Sequence, residues 1–416
     1  MEAQLAELVR KCSRCGTCRS QCPILLRQGK ESSSPRGLIF LLHELLSGRI
    51  SPSPRLLDKI YTCLLCDACS VVCPSGVDIT KIIKGARQYL AQIPTFGWPM
   101  EFILKEVLGR PGVLGNCSRF LWLYQKGRLG GALDKTGLNK LLPGDLDRAQ
   151  AMLPPLPLRS ARSRLAVITP AKGRRRYRVG YFLGCATDLL YPPIAEAVVK
   201  VLAHHGCEVV IPQDLGCCGL PHLAYGQGET YVKLLKHNLR LWEKTAVDVI
   251  ISDCASCVST LAQMGQSPLG FDDPVFGEAA PWASKVYDFS QFLVDVLGES
   301  PCGQSKGVVT YHDPCHALRS LGLRDQPRQL MARAGYELRE LVPTASCCGG
   351  AGSFGLAHYD LSMAILKEKM EQVGRTGAEL LATSCPACTM QLSYGAGKFQ
   401  VPVRVVHPAQ LAARCL

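Results

Sequence analysis

Apolar positions recur with two different periods along this chain of 416 residues. Near the N-terminus the period is helical. Ser34 followed by Pro35 is a capping residue with proline at the first helical position, and Leu38, Leu41, Leu42, Leu45 and Leu46 then share one face until Gly48. Ser53 and Pro54 repeat the start signal for a second helix running to Cys63. From residue 179 the pattern changes to short apolar runs separated by helical stretches. Strands are predicted at 179–183, 208–211 and 247–251, with helices at 194–204 and 230–241 between them. A second set follows, with strands at 308–311, 337–341 and 379–383 and helices at 329–333 and 361–372. Each set reads βαβαβ, which implies a parallel sheet with right-handed crossovers.

The expected fold class is therefore α+β and multidomain: an all-α N-terminal module, then two βαβαβ parallel-sheet repeats. The predicted divisions are 1–90 for the helical module, 91–178 for a helical connector and linker, 179–300 for the first repeat and 301–416 for the second. Pro154, Pro155, Pro157 and the basic run from Arg174 to Arg178 mark the linker. That run lacks aromatic interleaving beyond Tyr177, so solvation or docking to an acidic partner or lipid head groups fits it better than nucleic acid. No stretch of about 18 uncharged apolar residues is present, and residues 1–10 hold no apolar signal core. A cytoplasmic location is expected, free or peripheral on the cytoplasmic face of the inner membrane.

Composition adds chemistry through 22 cysteines, far above ordinary usage. In a reduced compartment they indicate metal binding before disulfides. Cys12, Cys15, Cys18 and Cys22 form a C-x2-C-x2-C-x3-C run followed by Pro23, and Cys63, Cys66, Cys69 and Cys73 repeat it before Pro74. In this ferredoxin pattern three thiolates hold one [4Fe-4S] cube, and the fourth ligates the other cube. Cys12, Cys15, Cys18 and Cys73 are expected around cluster 1, and Cys63, Cys66, Cys69 and Cys22 around cluster 2. Paired zinc sites or reduced structural cysteines are the bland alternative. The other large group is an internal repeat. Cys185, Cys217-Cys218-Gly219, Cys254 and Cys257 recur about 130 residues later as Cys315, Cys347-Cys348-Gly349, Cys385 and Cys388. Each ligand falls just after the C-terminal end of a predicted strand, where open α/β sheets assemble their sites.

A double C-x31-CCG-x35/36-C-x2-C pattern resembles the cysteine-rich CCG domain of heterodisulfide reductase catalytic subunits. Joined to a helical two-cluster ferredoxin, it resembles the iron–sulfur subunits of glycolate oxidases and their lactate-oxidising relatives. Ser34-Pro-Arg-Gly37, Cys73-Pro-Ser-Gly76 and His312-Asp-Pro-Cys315-His316 carry the likeness outside the ligands. The resemblance implies two [4Fe-4S] clusters in the ferredoxin module. The CCG sites would hold further [4Fe-4S] clusters, for which the family includes a non-cubane type, or zinc in one of them, and the ligands alone leave that choice open. It also implies an electron-transfer role beside an FAD-containing 2-hydroxy-acid oxidase subunit acting on glycolate or an acid such as D-lactate. A quinone or another carrier would be the acceptor, and this chain would hold no flavin or hydroxy-acid site. A thiol–disulfide reductase and a zinc-stapled, non-redox scaffold are the rival readings, the first kept alive by both five-cysteine sets being complete.

Of the remaining cysteines, Cys207 reads as a small buried hydrophobe, and Cys117, Cys302 and Cys415 have no partner spacing. His222, His312, His316 and His358 flank the motifs. They read first as structural side chains, with proton transfer or hydrogen bonding to cluster sulfur as the functional alternative. Gly219, Gly349, Gly350 and Gly352 suit a tight wrap around a cluster. The formal charge of +13 is uneven: residues 1–178 carry 29 Lys and Arg against 12 Asp and Glu, and residues 179–416 carry 18 against 22. The basic half balances anionic clusters and leaves a positive surface for an acidic partner or a membrane face.

Overall fold

The computed structural model describes residues 1–91, 103–110, 146–298, 307–343 and 346–416, with single positions between 111 and 125. Cys117, Cys302 and, within the predicted connector, residues 92–102, most of 111–125 and all of 126–145 lie outside the described residues.

In the N-terminal module the two expected helices span Pro35–Leu46 and Pro54–Thr62. The Ser34 hydroxyl accepts from the Gly37 amide at 2.9 Å, and the Ser53 hydroxyl accepts from the Leu56 amide at 3.3 Å. Two further helices, Glu2–Arg10 and Ile79–Leu90, complete the platform. Asp78 caps the latter by accepting from the Lys81 amide at 2.8 Å. Leu5, Val9, Leu38, Leu42, Ile60, Ile82, Ile83 and Ala86 form the core between these helices.

The first sheet runs in the order β1-β3-β2-β4-β5, from Ile168–Thr169 (β1), Tyr177–Tyr181 (β2), Cys207–Val210 (β3), Val249–Ser252 (β4) and Val286–Asp288 (β5). The second runs β7-β6-β8-β9, from Val308–Tyr311 (β6), Glu337–Leu338 (β7), Leu380–Ala382 (β8) and Arg404–Val406 (β9). All pairings are parallel except β1 with β3. Each repeat thus holds the predicted βαβαβ plus one more parallel strand, β5 or β9. These strands are three residues long, below the length at which alternation is readable.

The sheet also begins before residue 179. The basic run is its entry, not a free tether. Arg178 pairs with Glu208 at 2.7 Å, Arg175 reaches the same carboxylate at 3.4 Å, and Arg176 donates to the Leu297 carbonyl at 3.0 Å. The repeats share cover as well. The C-terminal helix Pro408–Ala413 packs on Pro192–His204 of the first repeat, and one apolar core joins Leu215, Leu234 and Leu261 to Met363, Leu366 and Leu392.

Candidate metal centres

The two ferredoxin runs fold alike because their intervening residues adopt the same backbone. Two residues after the first cysteine, Arg14 and Leu65 have φ of 59° and 52°; one residue after the second, Gly16 and Asp67 have 89° and 63°. Three of these four are not glycine, so the turns hold strain of about 1–3 kcal/mol each that the surrounding packing must offset. The result is convergence. Cys12, Cys15, Cys18 and Cys73 line one cavity with Arg36, Ile39 and Val77. Cys22, Cys63, Cys66 and Cys69 line a second with Ile24, Leu38 and Leu64. Cys22, carried over by the helix Pro23–Gln28, lies in electrostatic reach of Cys63 and Cys66, and Cys69 faces Cys22 and Cys18. Burial pushes the Cys22 thiol up to about 12 and also raises Cys63 and Cys69. Four crowded thiols suit a bound cation that displaces their protons. The donor sets and cavities fit one thiolate-ligated cube each.

In the first repeat Cys185 opens the helix after β2, Cys217 and Cys218 follow β3, and Cys254 and Cys257 follow β4. Cys185 hydrogen-bonds Cys217, and Cys218 contacts both Cys217 and Cys257. In the second repeat Cys315 follows β6, Cys347 and Cys348 follow β7, and Cys385 and Cys388 follow β8. Cys348 and Cys388 approach to 3.7 Å, and Cys315 faces Cys348 and Cys385. Cys185 and Cys347 are raised by donating to their neighbouring thiols and by burial, whereas Cys218 and Cys348 are lowered by accepting from theirs. The Gly219 amide donates to Cys217 Sγ at 3.4 Å, and the Gly349 amide to Cys347 Sγ at 3.3 Å. Both glycines have positive φ, 89° and 79°, and a Cβ on Gly219 would lie 2.3 Å from the Tyr231 ring. Five convergent thiols exceed the four that zinc or a regular cube requires, and so suit a less regular cluster.

Contacts link the four sites in series. Ile24, Leu64, Cys66, Phe354 and Ile365 form a buried apolar group against which Cys22, Cys315 and Cys347 pack. Arg319 donates to the Cys66 carbonyl at 2.7 Å. The two repeats meet through the Ala255 amide, which donates to the Ser384 carbonyl at 2.9 Å, and through Cys254, which hydrogen-bonds Cys385. Ser256 Oγ sits 3.0 Å from His316 Nδ1 and 3.5 Å from Cys385 Sγ.

Among the singled-out histidines, His312 joins a site directly: a ring nitrogen lies within 4.8 Å of both Cys348 and Cys388 Sγ. His316 is held by Ser256, His358 lies 3.5 Å from Thr62 Oγ1, and His222 is fully buried. Cys207 is buried in β3, and Cys415 donates to main-chain carbonyls of Ala334 and Leu411, as structural cysteines do. Sequence reasoning passed over Arg87 and Lys369. Lys369 occupies a core position of the helix Tyr359–Thr376, between Leu366 and Met370, and a cation on an apolar face was a readable signal. Burial lowers its ammonium to about 8 against the pull of the Cys348 and Cys347 thiolates.

Family models match in the same order as these sites. A 4Fe-4S dicluster domain covers 8–77, a linker region of glycolate oxidase iron–sulfur subunits covers 97–153, and a cysteine-rich CCG domain covers 179–262 and 309–393. The chain is 33% identical to a probable glycolate oxidase iron–sulfur subunit of Bacillus subtilis over 96% of its own length and 92% of the relative's. It is 25% identical to the glycolate oxidase iron–sulfur subunit of Escherichia coli over 95% of this chain and 92% of that one. A lactate utilization protein A of Exiguobacterium is 32% identical, spanning 56% of this chain and 96% of its own.

Proposed function

The chain belongs to the family of glycolate oxidase iron–sulfur subunits, and we propose that it passes electrons from glycolate, or a related 2-hydroxy acid such as D-lactate, through four cysteine-ligated clusters. It is an electron-transferring subunit of an oxidoreductase complex whose substrate chemistry belongs to a flavoprotein partner. In the proposed assignment Cys12, Cys15, Cys18 and Cys73 hold cluster 1, and Cys63, Cys66, Cys69 and Cys22 hold cluster 2. Cys185, Cys217, Cys218, Cys254 and Cys257 form the first CCG site, and Cys315, Cys347, Cys348, Cys385 and Cys388 the second. The proposed parts are the ferredoxin module to about residue 90, the connector, and one unit per CCG repeat.

The observation that carries this reading is the serial contact of the four sites within one packed body. When bound, each cluster accepts and releases one electron at a time. The protein supplies burial, amide donors such as those of Gly219 and Gly349, and an apolar seal of Ile24, Leu64, Phe354 and Ile365 between cluster 2 and the second CCG site. We further propose that the flavin and hydroxy-acid sites are on the partner and that the acceptor is a quinone or another carrier. No described helix is long and apolar enough to cross a membrane. We propose that any attachment to a membrane face is peripheral or through a partner.

Anaerobic iron, sulfide and zinc analysis of the purified complex tests the assignment: iron well above eight per chain is expected. Eight iron with two zinc would replace it with the zinc-stapled scaffold. Both complete five-thiol sets favour a thiol–disulfide reductase as the second reading. That reading prevails if no flavoprotein co-purifies and the isolated chain reduces disulfides.

A further inference from the structure

The two CCG repeats place different side chains at equivalent positions around equivalent thiols. The Phe182 amide donates to the Ile251 carbonyl at 2.8 Å, and the His312 amide donates to the Ala382 carbonyl at 2.9 Å. These bonds pair Phe182 with His312 at the end of the first parallel strand. The helices Gly228–Thr245 and Tyr359–Thr376, both 18 residues long, pair Asn238 with Lys369. The residues before Cys254 and Cys385 are Asp253 and Ser384, and Tyr181 and Tyr311 direct their hydroxyls to them at 2.7 and 2.9 Å.

Around the first site these substitutions leave negative charge. Asn238 is spent on the backbone, accepting from the Gly216 amide at 2.8 Å and donating to the Cys217 carbonyl at 3.1 Å. The Asp253 carboxylate, fully buried, accepts among the described residues from the hydroxyls of Tyr181 and Thr187. The nearby His407 offers no cation. Its Nδ1 accepts from the Ala409 amide and its Nε2 donates to the Asp253 carbonyl, the pattern of a neutral ring.

Around the second site the sign reverses. His312 and Lys369 are each 1% exposed, and His312 Nδ1 and Lys369 Nζ have no hydrogen-bond partner among the described residues. Lys369 lies in electrostatic reach of Cys348, Cys347, Asp313 and Cys388, and a His312 ring nitrogen lies close to Cys348 and Cys388 Sγ. The carboxylate on this side, Asp313, is already held by Arg328 in a two-pronged pair of 2.8 and 2.9 Å. A buried ammonium that shares a carboxylate with an arginine is costly unless it faces another anion. A thiolate-ligated cluster is such an anion.

We infer that the two CCG sites are unequal by construction, and that His312 and Lys369 hold the second site at a higher reduction potential than the first. Adding an electron adds negative charge. The ammonium and the imidazole favour that charge at the second site, while the Asp253 carboxylate opposes it at the first. The second site also adjoins cluster 2, so an electron shared among the four sites rests beside the ferredoxin module before it reaches the first repeat.

The inference rests on both CCG sites holding iron–sulfur clusters, and one experiment separates the two claims. The anaerobically purified complex is titrated redox-potentiometrically and followed by EPR, with iron counted in each sample. Wild type is expected to show two resolved CCG midpoints. Lys369→Asn with His312→Phe, which gives the second site the first site's residues, is expected to lower one midpoint. The shift should be at least tenfold in the one-electron equilibrium, 59 mV, with the other midpoint unchanged. Asp253→Ser is expected to raise the other midpoint alone, and it reads the same asymmetry should the double variant fail to retain iron. Full iron with coincident wild-type midpoints overturns the inference, as do full iron and midpoints that do not move in the variants. Wild-type iron of eight per chain overturns the cluster reading itself, and the inference with it.

Discussion

Arg87 is the buried cation that ties the ferredoxin module to the first repeat, and its removal has a calculable cost. The residue is 4% exposed. Its guanidinium donates to the Ile60 carbonyl at 3.0 and 3.3 Å, to Tyr61 at 3.2 Å and to Cys63 at 2.6 Å, all at the end of the helix Pro54–Thr62. It also donates to the Ala224 carbonyl at 2.8 Å across the module boundary, and it stacks 4.9 Å over the Tyr61 ring. Arg87→Ala strands four carbonyls at once. Hydrogen bonds to a charged group contribute about 1.5–3 kcal/mol each, and breaking a buried charged network costs about 3–5 kcal/mol. Some of the loss returns as water enters and as the cost of burying the charge disappears, so about 3 kcal/mol is expected. At 1.36 kcal/mol per decade that is about a 100-fold rise in local opening. Hydrogen exchange on the anaerobic protein should show it in the amides of Pro54–Thr62 and of the segment around Ala224, with the Pro35–Leu46 helix unchanged. Arg87→Lys should rescue little, because one ammonium cannot span carbonyls on both modules. Exchange within threefold of wild type in Arg87→Ala would refute this account of the module boundary.

The crossed ligand assignment predicts that Cys22→Ser removes the cluster 2 signal in EPR and leaves cluster 1; loss of cluster 1 alone would reverse the assignment. At the CCG turn, Gly219→Ala places a Cβ 2.3 Å from Tyr231 at a φ of 89°. The clash and the left-handed backbone together are expected to cost about 3 kcal/mol. A lowered urea midpoint should accompany loss of iron from the first repeat, with the ferredoxin clusters retained.

The extent to which the sequence was legible follows the range of the forces involved. The Ser34-Pro35 and Ser53-Pro54 starts were readable because a cap is settled within four residues, and both hydroxyls do cap. The ten CCG cysteines were readable as a repeat because their spacing recurs, and the structure sets them after strand ends as expected. β5 and β9 were not, since three residues carry no period and their place is set by the strand beside them. The basic run misled for a related reason. Taken alone, Arg174 to Arg178 looks like a solvated tether, but Glu208 and the Leu297 carbonyl, 30 and more residues away, absorb it into the sheet. Arg87 resisted for the same cause: its partners belong to two modules.

The order of sites in space departs from their order along the chain, and duplication explains how. A single CCG repeat presents its thiols at one sheet edge with one face to cover. Two copies cover each other there, bringing Cys254 beside Cys385 and sharing one core from Leu215 to Leu392. Such a pair has two outer ends, and the ferredoxin module meets both repeats by different means. Arg87 fastens it to the first through Ala224, whereas Cys66, Leu64 and Ile24 pack against Cys315 and Cys347 of the second. Arg319 of the second repeat, donating to the Cys66 carbonyl, and the Arg27–Glu368 pair fasten the module there too, so polar joints reach both repeats while the cysteine contact falls on the second. The repeat that meets the ferredoxin's cysteines carries His312, Lys369 and Ser384 where the first repeat carries Phe182, Asn238 and Asp253, and in the first repeat Asn238 clamps the Cys217 turn. A duplicated fold thus holds two copies of one thiol set in opposite fields, a difference of three side chains that the cysteine spacing alone could not disclose.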